Sequence, residues 1–372
     1  DKNNYSFIKG DINNKKKIKS VFKLFKPDIV INFAAETHVD RSIESPNIFV
    51  KTNIIGTCNL LEESLEIFKK KKDFLFIQIS TDEVFGSLNF SQRASKEEDS
   101  FNPSSPYSAT KASADLIARA WFKTFKLPVI TIYPTNNFGP AQYPEKFIPL
   151  MILKKLQNKK LTVYGDGKNI REWIYVKDCV GGIIELIKKG KPGESYNLGS
   201  GEQLSNKTVA ELILKFYAKN KNKKKCIQFV KDRPAHDIRY NLNCSKIKKN
   251  TKWKPLFKFK DALRLTIQWY KNNSLWLTNL SNQYGIKKRI GIDKKKKWDL
   301  IKKKNNKLKN IFFTVIDKNY ILRAYALFKS MQPFLKQDKF FIVCLDIESF
   351  NFLERVKKKE NLNPIHLEKK KI

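Results

Sequence analysis

Six tyrosines in this chain are followed four residues later by a lysine: Tyr5, Tyr107, Tyr164, Tyr217, Tyr284 and Tyr325. A phenol titrates at about pH 10 and is a poor base at neutrality, but a neighbouring ammonium favours the phenolate and makes it usable. On a helix, i,i+4 spacing brings the two side chains to one face. In so lysine-rich a chain the spacing alone is chance, and context must single one pair out. Tyr107 and Lys111 lie in PSSPYSATKASADL, where Pro106 marks a helix start. A second group stands at the end of an apolar run, where FLFIQISTDEVFG delivers Thr81, Asp82 and Glu83 together. The carboxyl ends of parallel strands are where α/β sheets hold ligands. Adjacent carboxyls there can be solvated turn residues or a negative start to a helix. Held with one protonated and one ionised, they can eliminate water from a sugar.

Groups of this kind need a sheet and a helix to position them. Short β-branched runs alternate with amphipathic stretches, as in βα units around a parallel sheet. Phe7 to Ile12, Asp28 to Ala35, Phe74 to Thr81 and Pro128 to Thr135 read as buried strands. KKIKSVFKLF, Asn53 to Lys69 and Ser105 to Phe125 read as the helices between them. A second zone, Pro144 to Lys271, mixes helices with short strands and turns such as YGDG and NLGSG, predicting a smaller lobe that closes over the sheet edge. The expected units are a sheet domain at 1–143, the smaller lobe at 144–286, a Lys-rich linker at 287–310 and a partial αβ module at 311–372. The fold class is α/β: a Rossmann-like doubly wound parallel sheet with its first βαβ unit missing, plus the smaller lobe.

Composition bounds the alternatives. The 372 residues include 27 Phe and 13 Tyr, enough for real cores. No apolar run approaches the ~18 residues of a membrane helix. Five cysteines, Cys58, Cys179, Cys226, Cys244 and Cys344, are scattered without a CxxC pair, so neither a disulfide framework nor a metal site is expected and the cytoplasm is the simplest location. The net charge of +38 raises nucleic acid as a partner. Only ten of the 74 basic residues are Arg, however, and the Lys fall in runs, which favours a solvated surface over a specific nucleic-acid site.

STDEVFG, PSSPYSATKASADL, PTNNFGPAQYPEKFIPL, VYGDGKNIREWIYVKD, NLGSGEQLSN and DRPAHDIRY, in that order from about Phe7 to Tyr270, closely resemble the nucleotide-sugar 4,6-dehydratases. The dTDP-glucose 4,6-dehydratase family, of the extended short-chain dehydrogenase class, is the nearest. The resemblance implies a tightly held NAD on residues 1–143 and a dTDP- or UDP-glucose substrate on the lobe at 144–286, in a homodimer, while composition speaks against membrane and specific nucleic-acid partners. It assigns Thr81, Asp82, Glu83, Tyr107 and Lys111 to catalysis. Asp11, Ile12, Phe33, Ala34, Ala35, Thr52 and Asn137, with Tyr107 and Lys111, would hold the cofactor. Thr37, Thr81, Asn136, Lys146, Phe147, Tyr164, Arg171, Asn206, Arg233 and His236 would hold the nucleotide sugar. Phe147, Thr162 and Tyr133 depart from the more usual Leu, Pro and Arg. His38 is given no catalytic role.

The family's rivals are a 4-epimerase or decarboxylase of the same fold, which has no use for the Asp-Glu couple, and an inactive nucleotide-sugar scaffold. Nothing ahead of Asp1 supplies the strand, Gly-rich turn and helix that meet a pyrophosphate. The expectation is therefore a piece of a longer protein, with an open sheet centre and no activity as given. FFTVIDKNYILRAYALFKSM with FFIVCLD resembles the opening of a nucleotide-sugar glycosyltransferase domain, or equally any αβ repeat.

Overall fold

The computed structural model describes residues 5–217, 226–233 and 236–283, together with the backbone of 311–316 and 339–344. Its central sheet is six-stranded and parallel, in the order β11-β10-β1-β2-β3-β7. These strands are β1 (Ile29–Asn32), β2 (Leu75–Ile79), β3 (Val129–Pro134), β7 (Ser195–Leu198), β10 (Ile311–Ile316) and β11 (Lys339–Cys344). Strands β1, β2 and β3 are almost wholly buried. They read as near-continuous Ile, Val and Phe because helices cover both sheet faces. On one face α1 (Lys15–Phe25), α4 (Gly56–Lys70) and α5 (Pro106–Phe125) enclose a core built on Phe22, Leu60, Phe76 and Ala118. On the other, α7 (Val176–Lys189) and α9 (Ser245–Thr251) pack over Ile77, Ile130, Ile132 and Tyr196.

Two expectations are corrected. Phe7 to Ile12 is not a strand: Phe7, Ile8 and Ile12 are buried, but the segment has no ladder partner among the described residues. The open edge expected beside β1 is paired, with Ile29, Val30 and Ile31 opposite Phe312, Phe313 and Thr314. An apolar strand edge leaves costly unpaired N–H and C=O groups, and the apolar run IFFTVI satisfies them in parallel register. The expected helix after this strand and the 287–310 linker lie outside the described residues.

The lobe carries a three-stranded sheet, β4-β6-β8, and a strand pair, β5-β9. Its strands are β4 (Asn136–Phe138), β5 (Leu161–Tyr164), β6 (Ile170–Tyr175), β8 (Gln203–Ser205) and β9 (Ile227–Val230). Helices α6 (Phe147–Leu156), α8 (Asn206–Tyr217) and α10 (Phe259–Asn272) pack around Phe138, Trp173, Ile213 and Leu263 to give it a core of its own.

Candidate active site

Two elements set the reactive side chains. At the carboxyl end of β2, the Ser80 N–H still donates to Ile132 O at 2.8 Å. Thr81 then turns the chain into a single 3-10 turn, Asp82–Phe85, accepting the Glu83 N–H on its Oγ1 at 3.3 Å and donating to Asp82 Oδ1 at 3.1 Å. Gly86, at φ +79°, closes this turn; a Cβ there would stand 2.1 Å from Asn102 O. Asp82 and Glu83 are thus fixed by their own backbone. Helix α5 supplies the partner face. Ser105 and Ser108 form a reciprocal capping box and Pro106 occupies its first turn. Tyr107 is 6% exposed and Lys111 is buried beside it.

Lys111 Nζ donates to Ile79 O at 2.5 Å, and Ser80 Oγ donates to Asp115 on the next turn of α5. Burial pulls the Lys111 ammonium down to about 8, against the pull of Asp115. Burial likewise pushes Asp115 up to about 7, against Lys111. Burial also pushes Asp82 well above the ordinary carboxylate range, reinforced by the charges of Glu83 and Glu172. Glu83 is raised by burial too, and by the charge of Asp237, with Arg233, Arg171 and Lys146 opposing the rise. The adjacent carboxyls therefore differ in balance: carboxylates outweigh cations around Asp82, whereas Glu83 faces three cations and one carboxylate.

These groups open on a cavity of about 250 Å3, lined also by Phe33, Ala35, Thr37, Asn136, Asn137, Lys146 and Phe147. Twelve of the residues singled out from sequence thus meet at one site: these seven with Thr81, Asp82, Glu83, Tyr107 and Lys111. Others do not line it. Asp11 is exposed and binds the Asn13 N–H. Ile12 is 0% exposed and belongs to the core under α4. Ala34 is buried behind the cavity and donates its N–H to Asn32 Oδ1, Thr52 sits in the π-turn Val50–Ile55, and Asn206 opens α8. Tyr164, Arg233 and His236 gather farther out in the lobe, with His236 Nδ1 2.6 Å from Asp232 Oδ1. Arg171 is buried 4.4 Å over the Tyr240 ring and donates to Asp237 O at 3.1 Å.

Sequence reasoning missed three residues. The Tyr240 hydroxyl donates to Asp237 and lies 3.5 Å from Glu83 Oε2, while Ser104 Oγ holds Asp237 from the other side at 2.7 Å. Tyr240 and Asp237 belong to DRPAHDIRY, where attention to Arg233 and His236 hid them. Asp115 follows Lys111 by one helical turn, a spacing that marks it as the next group on the reactive face. The lobes are tied by Thr37–Arg41: Lys146 Nζ donates to Thr37 O and Oγ1 at 3.0 Å each, and Arg41 pairs with buried Glu145 at 3.0 Å.

Does this site fit a nicotinamide dinucleotide? Thr135 Oγ1, Asn136 Oδ1 and Asp82 Oδ2 are buried without hydrogen-bond partners, and all three residues line the cavity. Buried polar atoms of this kind need polar partners. The carboxyl ends of β1, β2 and β3 converge there beside Tyr107 and Lys111, so the residues fit the reactive end of such a cofactor.

Sheet, lobe and the cavity between them define a Rossmann-type α/β enzyme with a separate smaller lobe. The chain belongs to the family described as GDP-mannose 4,6 dehydratase, whose model matches residues 1–266. It is 41% identical to the dTDP-glucose 4,6-dehydratase of Neisseria meningitidis serogroup B over 303 residues, covering 78% of this chain and 85% of that protein. It is 40% identical to the Salmonella typhimurium dTDP-glucose 4,6-dehydratase, covering 75% and 82%. Among solved structures, the Streptomyces venezuelae dTDP-glucose 4,6-dehydratase with NAD bound is similar at a TM-score of 0.68 and 36% identity, covering 73% of this chain and 81% of that one. The Bacillus anthracis dTDP-glucose 4,6-dehydratase in complex with NAD matches at 0.65 and 43%, covering 74% and 82%.

Proposed function

We propose that this chain carries the site of an NAD-dependent 4,6-dehydratase, which converts a nucleotide-glucose to its 4-keto-6-deoxy sugar. The observation that carries this reading is the Asp82–Glu83 couple, held beside Tyr107 and Lys111 with the two carboxyls in different electrostatic surroundings. NAD would supply hydride acceptance and hydride return, held by Phe33, Ala35, Asn137, Tyr107 and Lys111. Tyr107 takes the proton of the sugar's 4-hydroxyl, with the Lys111 ammonium favouring the phenolate and Thr81 hydrogen-bonded to the same oxygen. Glu83 takes the proton from C5, made acidic by the neighbouring 4-keto group. Asp82, kept protonated by burial, gives its proton to the departing 6-hydroxyl. A 4-epimerase has no step for the last two groups.

In this reading residues 1–143 serve the dinucleotide and 144–286 the nucleotide sugar, with Tyr164, Arg171, Arg233 and His236 towards the diphosphate and base. A homodimer is supported by Ile48, Ile55 and Leu116, exposed apolar side chains near the adjoining α4 and α5. No helix among the described residues is long and apolar enough to cross a membrane. The free thiols Cys58, Cys179 and Cys244 fit a reducing compartment, for which we propose the cytoplasm. The test is to incubate the protein and NAD with dTDP-glucose and, separately, UDP-glucose in deuterated water. A 4-keto-6-deoxy product carrying deuterium at C5 is expected, and it would overturn the expectation of an inactive chain, one ground of which, the open edge beside β1, is already removed by β10. A 4-epimer with no loss of water would replace this reading by the epimerase one.

A further inference from the structure

Asp40 lies on the short helix α2 (Val39–Glu44) of the sheet domain, yet its carboxylate is occupied by the lobe. The Tyr164 hydroxyl donates to its Oδ2 at 3.0 Å, and Arg233 Nη1 reaches its Oδ1 at 3.3 Å. The side chains of Arg233 and Asp40 are only 18% and 13% exposed. The two lobe residues arrive together for a backbone reason. Tyr164 ends β5 opposite Val230 of β9, and the Gly165 N–H bonds to Val230 O at 3.0 Å. Gly165 takes φ +55° and passes so close to Asp232 that a Cβ would stand 2.7 Å from its Oδ2. The loop carrying Arg233 is therefore pinned to the strand end carrying Tyr164.

Arg233 is held at one corner only. Nη1 faces Asp40, while Nε is buried without a hydrogen-bond partner. A guanidinium presents its donors as a planar fork suited to phosphate oxygens. The contact at Nη1 holds one corner of that fork and leaves the Nε edge for another anion. From this arrangement we infer that Asp40 is a positioning residue for the nucleotide diphosphate: it orients Arg233 and Tyr164 across the domain boundary so that the unused edge of the guanidinium meets phosphate. The inference rests on the dehydratase reading of the neighbouring cavity, and extends it to a residue that touches neither sugar nor cofactor.

The test uses the 372-residue protein and dTDP as probe, with calorimetric titration of the unaltered chain, Asp40→Asn, Arg233→Ala and the double variant. Asp40→Asn is expected to weaken dTDP binding about tenfold. In the Arg233→Ala background the same change should cost less than about twofold, because coupled residues give non-additive effects. In turnover assays the loss should appear in KM, with kcat within about twofold. Unaltered dTDP affinity in Asp40→Asn overturns the inference, as does a loss that persists in full without Arg233, which marks a merely structural role. Binding of dTDP without dehydration of dTDP-glucose would instead remove the proposed activity and leave the Asp40 inference standing. If the unaltered chain fails to bind dTDP, both fall.

Discussion

The reactive cluster at the cavity and the outer cluster proposed for the nucleotide, farther out in the lobe, are built by different physics. Thr81, Asp82, Glu83, Tyr107 and Lys111 sit on a strand end and a capped helix, and backbone bonds and buried packing hold them. Tyr164, Arg233 and His236 sit on a strand tip and a loop, held by side-chain contacts to Asp40 and Asp232. The first end is fixed before any ligand arrives. The second depends on charge, so salt and single charge changes should act there selectively.

The sharpest test of that contrast is Tyr107→Phe, which should lower turnover by about two to four orders of magnitude, the usual scale for a positioned acid-base group, with no NADH formed when dTDP-glucose is added. If Tyr164→Phe, in the outer cluster, loses as much in the hydride step, the contrast fails. Glu83→Gln should follow at about two orders of magnitude in product formation, and should differ in kind. C4 oxidation remains, so enzyme-bound NADH accumulates in absorbance while deuterium no longer enters C5. In the outer cluster, Arg233→Lys should raise the dTDP dissociation constant about tenfold, because the fork geometry is lost though the charge remains, with saturated turnover nearly unchanged. Raising salt to about 0.5 M should weaken dTDP binding several-fold while leaving the thermal midpoint close to its low-salt value.

The smallest effect concerns Asp115. Its folded carboxyl titrates near 7, above the ordinary carboxylate value, so the native state holds more protons than the unfolded one in between. Stability from this group therefore declines as pH rises from about 4 to 7. Lys111, lowered to about 8, has the opposite sign and adds stability as pH rises from about 8 to 10.5. Asp115→Asn should flatten the first decline in a series of thermal melts across that range. A slope identical to that of the unaltered chain would show that Asp115 does not titrate there.

The reactive end was legible in the sequence because its residues are local. Thr81, Asp82 and Glu83 are consecutive, Tyr107 and Lys111 are one helical turn apart, and the flanking runs declare the strand and helix that hold them. Of the outer cluster proposed for the nucleotide, the sequence offered a list of members but not their arrangement. That Asp40 receives Tyr164 and Arg233, or that Tyr240 reaches Glu83, depends on loops meeting across the fold, which no spacing encodes. Phe7 to Ile12 misled for a related reason. Its apolar pattern reports burial faithfully, but a strand also needs a neighbour, and pattern carries no information about neighbours.

Gly56 begins α4 where that helix crosses Ile12, and a Cβ at position 56 would stand 2.4 Å from Ile12 Cδ1. The two positions thus share a single volume, and neither can be altered freely without the other. Gly56→Ala alone should lower the thermal midpoint, and Ile12→Val in the same chain should recover part of the loss. Among descendants of this sequence, bulk gained at one position is tolerated only as bulk surrendered at the other, so the pair is expected to drift together although neither residue lines the cavity.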